Sequence, residues 1–177
     1  MKINVKIKRL SEDAVIPKYA HEWDAGVDLV ASETVIITPG ETKIIPTGLA
    51  IALPPNYEAQ IRPRSGVTVK TKLRVQLGTI DSQYRGPIGV IVDNFNFQSL
   101  EDYETVDGEY VVKGIDGKYD YCTPDVNEAG AYIIRKGSRI AQAVINQVEQ
   151  AQFQIVEELD ETQRGAGGFG SSGVTSE

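Results

Sequence analysis

The chain is built from short runs of apolar and β-branched residues separated by turn signals, and this spacing limits its fold more than any other feature. Dipeptides such as Pro39-Gly40 and Asp116-Gly117 supply the fixed or positive φ that turns require. No long amphipathic stretch separates the runs. Many short strands at close spacing predict an all-β protein, either an antiparallel sandwich or a jelly-roll-like β-barrel. The eight runs are residues 35–37, 43–45, 49–53, 57–61, 88–92, 110–112, 132–134 and 140–144.

Two further elements are expected from local pattern. At the start of the chain Ile3, Val5 and Ile7 alternate with polar residues, which is the period of a half-buried strand. Residues 67–73 are compatible with one short helix. Neither element changes the predicted class.

Composition excludes several kinds of function. A length of 177 residues with 41% apolar content fits one domain. The net charge of −7 argues against sequence-independent binding to DNA or RNA, which depends on lysine and arginine. With one cysteine, Cys122, and one histidine, His21, neither a disulfide framework nor a Cys- or His-rich metal site is expected. No apolar run is long enough to span a membrane, so we expect a cytoplasmic protein.

The C-terminal residues 164–173 combine five glycines with one cation, Arg164, and one ring, Phe169. Such a composition by itself is typical of a disordered tail. A plain spacer, however, needs neither a cation nor a ring that stacks on a base. We therefore expect residues 164–177 to form a lid that is loose when empty and closes over a nucleotide, while residues 1–163 form the folded domain and its arm.

Two segments in the first half place charged side chains among small or apolar neighbours. Asp28 lies within residues 25–29, and an acid that is partly buried needs a cation, a metal-bound water or hydrogen-bond donors. The alternative is a turn acid that caps backbone amides. Arg64, Ser65 and Gly66 follow a predicted strand and suggest a phosphate contact, with a solvated turn as the alternative.

Two later segments carry comparable signals. Residues 78–86 contain Asp81 and Tyr84 in a glycine-bounded hairpin. Considered by itself, Asp81 is typical of a turn. Residues 137–142 direct Arg139 and Gln142 into a strand, where a guanidinium or an amide needs a partner.

In their order along a β-rich chain, these segments resemble the five motifs of the trimeric dUTPases. The matching residues are 25–29 with Ala31, 63–66, 78–86, 137–142 and 164–173. The resemblance covers nearly all of the chain except residues 98–131, and it is closest to the phage-encoded branch, which carries an insertion there. It implies a jelly-roll-like β-barrel and a homotrimer with shared active sites and swapped or shared C-terminal arms.

The resemblance also implies residue roles. Asp81 would orient and activate the attacking water, and the Tyr84 ring would pack against the deoxyribose and exclude a 2′-hydroxyl. The backbone around Val75, Thr79 and Ile80 would read the uracil edge. The phosphate contacts would be Arg64, Ser65, Gly66 and Gln142.

Mg²⁺ is the implied cofactor, bound through water by Asp28 and Gln142, which suits an ion that gives up its water reluctantly. In the tail, Arg164 would pair with the terminal phosphate and Phe169 would stack on uracil. The remaining tail contacts would be Gly170, Ser171 and Ser172. Ser138 and Ser82-Gln83 depart from the commonest family pattern, but none of them has an implied chemical role.

The implied activity is Mg²⁺-dependent hydrolysis of dUTP to dUMP and pyrophosphate, which keeps uracil out of DNA and supplies dUMP for dTTP synthesis. A dCTP deaminase of the same fold is an alternative that fits the third motif and the Phe-bearing tail less well. A nucleotide-switched regulatory protein is a second alternative, and it is compatible with catalysis. In that case residues 98–131 would bind a protein repressor, and their tyrosines predict a strand-rich excursion.

Overall fold

The computed structural model describes residues 2–97, 105–106, 109–120 and 129–168. Within these ranges there are fifteen short strands and one short helix, so the predicted all-β class is confirmed. None of the helical structure described is long and apolar enough to cross a membrane. The elements are β1 (Lys6–Arg9), β2 (Val27–Val30), β3 (Val35–Ile37), β4 (Thr42–Pro46), β5 (Leu49–Ala52), β6 (Tyr57–Pro63), α1 (Ser65–Lys70), β7 (Leu73–Val75), β8 (Gly78–Asp81), β9 (Gly89–Asn94), β10 (Thr105–Val106), β11 (Glu109–Tyr110), β12 (Val112–Gly114), β13 (Tyr119–Asp120), β14 (Tyr132–Ile134) and β15 (Arg139–Gln147).

The strands form small sheets, and one of them carries most of the polar residues singled out above. That sheet has the order β2-β15-β6-β8, and each of its neighbouring pairs is antiparallel. A second sheet has the order β4-β9-β7, and a third the order β13-β12-β14-β3. The remaining described pairs are β1-β5 and β10-β11.

The core lies between the inner faces of these sheets. Strand β9 shows the pattern clearly, since Val90 and Val92 are fully buried whereas Ile91 between them is exposed. This alternation follows from the two-residue period of a strand with one face toward the core. Asn94 at the end of β9 is buried and donates from Nδ2 to the carbonyls of Ile37 (2.9 Å) and Gly130 (3.0 Å), which joins three segments of the chain.

The helix differs from its predicted bounds. It ends at Lys70, and Leu73 belongs to β7 with its side chain in the core. Thr71 ends the helix in an extended conformation, and its hydroxyl donates to the Val67 carbonyl at 2.7 Å. The predicted run 110–112 is likewise divided between β11 and β12.

The described part of residues 98–131 contains four short strands, and one of them packs on the domain. β12 runs parallel to β14, and Val112, which is 1% exposed, lies in a small apolar cluster with Ala131 and Ile133. The segment therefore extends the sheet that contains β3 and β14.

Candidate functional site

Asp28 on β2 is the centre of a charged cluster. Its Oδ1 lies 2.9 Å from Arg64 Nε, and its Oδ2 lies 3.2 Å from Arg139 Nη1. The Asp28 side chain is only 20% exposed, so the two guanidinium groups provide the cations that a partly buried carboxylate needs. Asp28 Oδ1 and Arg64 Nε form no hydrogen bond with any described residue, which makes their contact electrostatic rather than a well-aligned hydrogen bond.

Strand register brings Gln142 into this cluster. Gln142 on β15 lies opposite Asp28 on one side and Arg62 on the other. Arg64 is fixed to the same strand, because its Nη1 donates to the Arg139 carbonyl at 3.0 Å. We call Asp28, Arg64, Arg139 and Gln142 the β2–β15 cluster. The sequence predicted no functional role for Arg139. The available signal was its position in a strand, where a guanidinium group needs a partner.

Ser65 and Gly66 follow Arg64 directly and form the first residues of α1. Both residues are exposed, and a Cβ built on Gly66 would meet no atom within 4 Å. The segment thus presents free space and exposed backbone beside Arg64. A ligand bound at the β2–β15 cluster could contact the Ser65–Gly66 segment as well.

Asp81 and Tyr84 lie together at the other end of the sheet. Asp81 is the exposed last residue of β8 and lies opposite Glu58 on β6. A turn brings Tyr84 back toward it, since the Tyr84 N–H donates to the Asp81 carbonyl at 3.1 Å. The Tyr84 side chain is 45% exposed, and its hydroxyl donates to the Pro87 carbonyl. A Cβ at Gly86 would collide with the Tyr84 ring, so the glycine permits this ring position.

The three residues assigned to uracil recognition lie on β7 and β8. Val75 is half-buried, Thr79 is exposed, and Ile80 directs its side chain into the core. Ile80 therefore has only backbone atoms to offer a ligand. That agrees with a role for the backbone rather than for the side chain.

Within one chain, the structure does not bring Asp81 to the β2–β15 cluster. Asp81 is aligned with Glu58, whereas Gln142 is aligned with Arg62, four residues along β6. β2 and β8 are the two edge strands of this sheet, with β15 and β6 between them. Standard strand spacings then give about 20 Å between Asp81 and Asp28. The two groups cannot contact the same phosphate of one ligand.

The C-terminal segment leaves the domain after β15. Residues 149–168 are exposed, and the side chains of Phe153 and Ile155 are 93% and 100% exposed. Arg164 Nε donates to the Gly167 carbonyl at 3.0 Å, a local turn contact. Phe169, Gly170, Ser171 and Ser172 lie outside the described residues.

No group of three or more His, Cys, Asp or Glu side chains in the described part of the chain is arranged to hold a metal ion directly. Asp28 offers one carboxylate with a buried oxygen, and Gln142 offers one amide. This donor set is small. It matches an ion that keeps most of its water ligands, as Mg²⁺ does.

Fold and site together define an all-β protein in which a carboxylate, two guanidinium groups and an amide gather on one antiparallel sheet, beside a short exposed segment. A family model for dUTPase matches residues 12–101 and 126–173. The chain belongs to the dUTPase family.

Individual relatives agree with this assignment. A deoxyuridine 5'-triphosphate nucleotidohydrolase of Crocosphaera subtropica is 43% identical over 174 residues, which cover 97% of this chain and 100% of the relative. A mutant of the Staphylococcus bacteriophage 80alpha dUTPase with dUpNHpp matches with a TM-score of 0.87 and 34% identity, over 98% of this chain and 100% of that one.

A mutant dUTPase from phage phi11 of S. aureus, described with a structural Mg(II) ion, matches with a TM-score of 0.81 and 31% identity, over 90% of this chain and 100% of that one. The predicted jelly-roll-like fold is confirmed by these structural matches.

Proposed function

We propose that this protein hydrolyses dUTP to dUMP and pyrophosphate in the cytoplasm. Membership of the dUTPase family supports this activity. The observation that carries it is the β2–β15 cluster, in which Asp28, Arg64 and Gln142 come from three separate parts of the sequence and meet on one sheet. Guanidinium groups are well suited to binding phosphate oxygens.

In the proposed reaction a water molecule attacks the α-phosphorus while the bond from that phosphorus to the α,β-bridging oxygen breaks. Asp81 orients the water and accepts its proton, and the bridging oxygen leaves with pyrophosphate. Asp81 is exposed at the end of β8 and is free to face a ligand. Positioning and charge neutralisation supply most of the rate in phosphoryl transfer, and Arg64, Ser65, Gly66 and Gln142 would provide them.

Asp28 and Gln142 would hold Mg²⁺ through its water ligands. The buried Asp28 Oδ1 lies 2.9 Å from Arg64 Nε but accepts no hydrogen bond from the described residues, so it would still have a lone pair for such a water. When bound, the ion neutralises charge on the phosphate chain. Arg64 lies beside Asp28 Oδ1 and Arg139 beside Oδ2, so a water ligand of the ion would bind the carboxylate next to these two guanidinium groups.

We infer that the active enzyme is a homotrimer. The distance of about 20 Å between Asp81 and Asp28 in one chain, estimated from strand spacings, favours a site composed of parts from different subunits. The exposed Phe153 and Ile155 suit an arm that packs on a neighbour. Residues 164–177 would then close as a lid, with Arg164 and Phe169 over the nucleotide.

Subunit mixing tests the shared site. Asp81→Asn and Arg64→Ala proteins should each be inactive, whereas trimers reassembled from both should regain about a quarter of the parental activity, because some sites then combine a native Asp81 with a native Arg64. A site formed within one subunit predicts no recovery. Mixing each variant with itself is the control.

The activity is tested by pyrophosphate release from every deoxynucleoside triphosphate and from UTP, with and without Mg²⁺. Preference for dUTP and dependence on Mg²⁺ are expected. Ammonia release from dCTP would instead favour a deaminase, and turnover of all triphosphates alike would contradict the proposal.

A second proposed function is regulation of gene expression through a protein repressor. The dUTPase of Staphylococcus bacteriophage 80alpha is one of the structural neighbours of this chain. Phage dUTPases are described there as controlling transfer of virulence genes by a proto-oncogenic G protein-like mechanism. Residues 102–125 of this chain lie outside the family match, within the segment 98–131. Tyr119 in this segment is exposed, with the Lys113 ammonium 4.8 Å from its ring centre, and such aromatic residues favour interfaces.

A further inference from the structure

Helix α1 is too short to hold its own position. It has six residues, its only buried side chain is that of Val67, and its N-cap residue Arg64 makes no side-chain capping bond. Isolated helices of this length are unstable in water, so tertiary contacts must decide where α1 lies. Since α1 begins with Ser65 and Gly66, the same contacts decide where the exposed segment beside the β2–β15 cluster lies.

One guanidinium group holds the C-terminal end of α1. Nη1 of Arg74 lies 2.7 Å from the Leu73 carbonyl, 3.2 Å from the Thr71 carbonyl and 3.4 Å from the Thr68 carbonyl. The last carbonyls of a helix have no partners within the helix, and a cation beside them is favourable. Arg74 therefore joins the helix end to β7.

A second contact fixes the chain as it leaves the helix. The Lys72 N–H donates to the Tyr132 hydroxyl at 3.0 Å, and Tyr132 is buried on β14. At the other end, the Thr68 N–H donates to the Arg64 carbonyl at 3.1 Å. Because Thr68 also contacts Arg74, only a few bonded atoms connect Arg74 to the Arg64 backbone.

We propose that Arg74, supported by Tyr132, is a positioning residue for the phosphate-binding segment Arg64 to Gly66. This inference rests on the proposed function, in which that segment contacts the triphosphate. A helix of six residues spans about 9 Å, so a shift at its end is transmitted to its first turn. Among the described residues, the hydrogen bonds of the Arg74 side chain go to backbone carbonyls and not to a predicted substrate-binding side chain, so Arg74 acts through α1.

The test compares binding of two nucleotides by calorimetry. dUpNHpp carries the full phosphate chain, whereas dUMP carries the same uracil and sugar with one phosphate. Arg74→Gln should lower the preference for dUpNHpp over dUMP by about fivefold or more, because misplaced phosphate contacts weaken binding steeply. The preference of the Arg74→Lys variant should lie between that of the parent and that of Arg74→Gln. An ammonium is a point donor that cannot span several carbonyls as a guanidinium does.

The matched control is Lys43→Gln. Lys43 Nζ also donates to a backbone carbonyl, that of Ile36 at 2.8 Å, but on β4 and away from α1. The Lys43→Gln variant should leave the nucleotide preference within about twofold of the parent, because substitutions away from a binding site usually have small effects on it. Tyr132→Phe, which removes only the acceptor for Lys72, gives a second test if Arg74→Gln does not fold.

The outcomes separate this inference from the function. A parent protein that does not hydrolyse dUTP overturns the proposed function and the inference with it. A parent that hydrolyses dUTP, combined with an unchanged preference in the variants, overturns the inference alone. An equal loss of dUMP and dUpNHpp affinity also overturns it, because the effect would then act through the uracil-reading residues next to Arg74.

Discussion

Arg64 Nε lies 2.9 Å from Asp28 Oδ1, so a residue proposed to bind phosphate is paired with a residue proposed to bind the waters of Mg²⁺. Both side chains are partly buried, which makes the pair sensitive to loss of either charge. The arrangement places a cation and an anion side by side, where an anionic nucleotide and its metal ion would each find a partner.

Asp28→Asn should raise the Mg²⁺ concentration needed for half-maximal hydrolysis and should retain activity at high Mg²⁺. The amide keeps the shape but has no negative charge to attract the hydrated ion. Loss of the carboxylate also leaves Arg64 and Arg139 without their anion, which should cost about 1–3 kcal/mol of stability. The dependence of the rate on Mg²⁺ concentration measures the first effect, and thermal unfolding measures the loss of stability. An unchanged Mg²⁺ requirement would show that Asp28 does not bind the metal ion.

Asp81→Asn should lower kcat by about 10²–10⁴ while leaving dUpNHpp binding largely intact, because an amide cannot accept the proton of the attacking water. Since Asp81 is exposed, the change should not affect folding. Single-turnover kinetics and calorimetry provide the measurement. Turnover within twofold of the parent would show that Asp81 is not the base.

Gly86→Ala should reduce the preference for dUTP over UTP. A Cβ at this position would collide with the Tyr84 ring and displace it from the place where a 2′-hydroxyl would project. Replacing Tyr84 itself by alanine should give a larger effect in the same direction. The quantity to compare is the ratio of kcat/KM values for dUTP and UTP, and a constant ratio in both variants would assign sugar discrimination to other residues.

Ending the chain after Thr162 should leave a folded trimer that hydrolyses dUTP poorly. The described residues beyond this point, up to Gly168, are exposed, so their removal takes no buried side chain from the core. Phe169→Ala in the full chain should weaken activity less than the truncation does. A truncated protein with the parental kcat would exclude a lid.

Replacing residues 98–131 by a short loop should preserve hydrolysis within about threefold and abolish binding of a protein repressor, because no proposed catalytic residue lies there. The variant should also unfold at a lower temperature, since removal of the buried Val112 uncovers Ile133. Trimer assembly is checked first. Lost hydrolysis in an intact trimer would contradict the expected dispensability, and retained repressor binding would contradict the docking role.

The sequence by itself determined the class of fold and most of the strands. Residues 132–134 were predicted as a strand and form β14 with the same bounds, and residues 140–144 lie within β15. These runs are recognisable because their apolar side chains face the core, so the residue types by themselves indicate which positions are buried. The five motifs were recognisable by resemblance to a known family, because the matching residue types occur in the same order along the chain.

Only the tertiary structure determined the remaining strands, the pairing of charged side chains and the register between strands. β2 and β8 were not predicted as separate strands, because each is short and carries a polar residue, Asp28 or Asp81, within or at the end of its apolar run. The pairing of Asp28 with Arg139 joins residues that lie 111 positions apart in the chain, and no local spacing encodes it. Register also set Asp81 apart from the β2–β15 cluster, since the alignment of neighbouring strands depends on how the whole core packs.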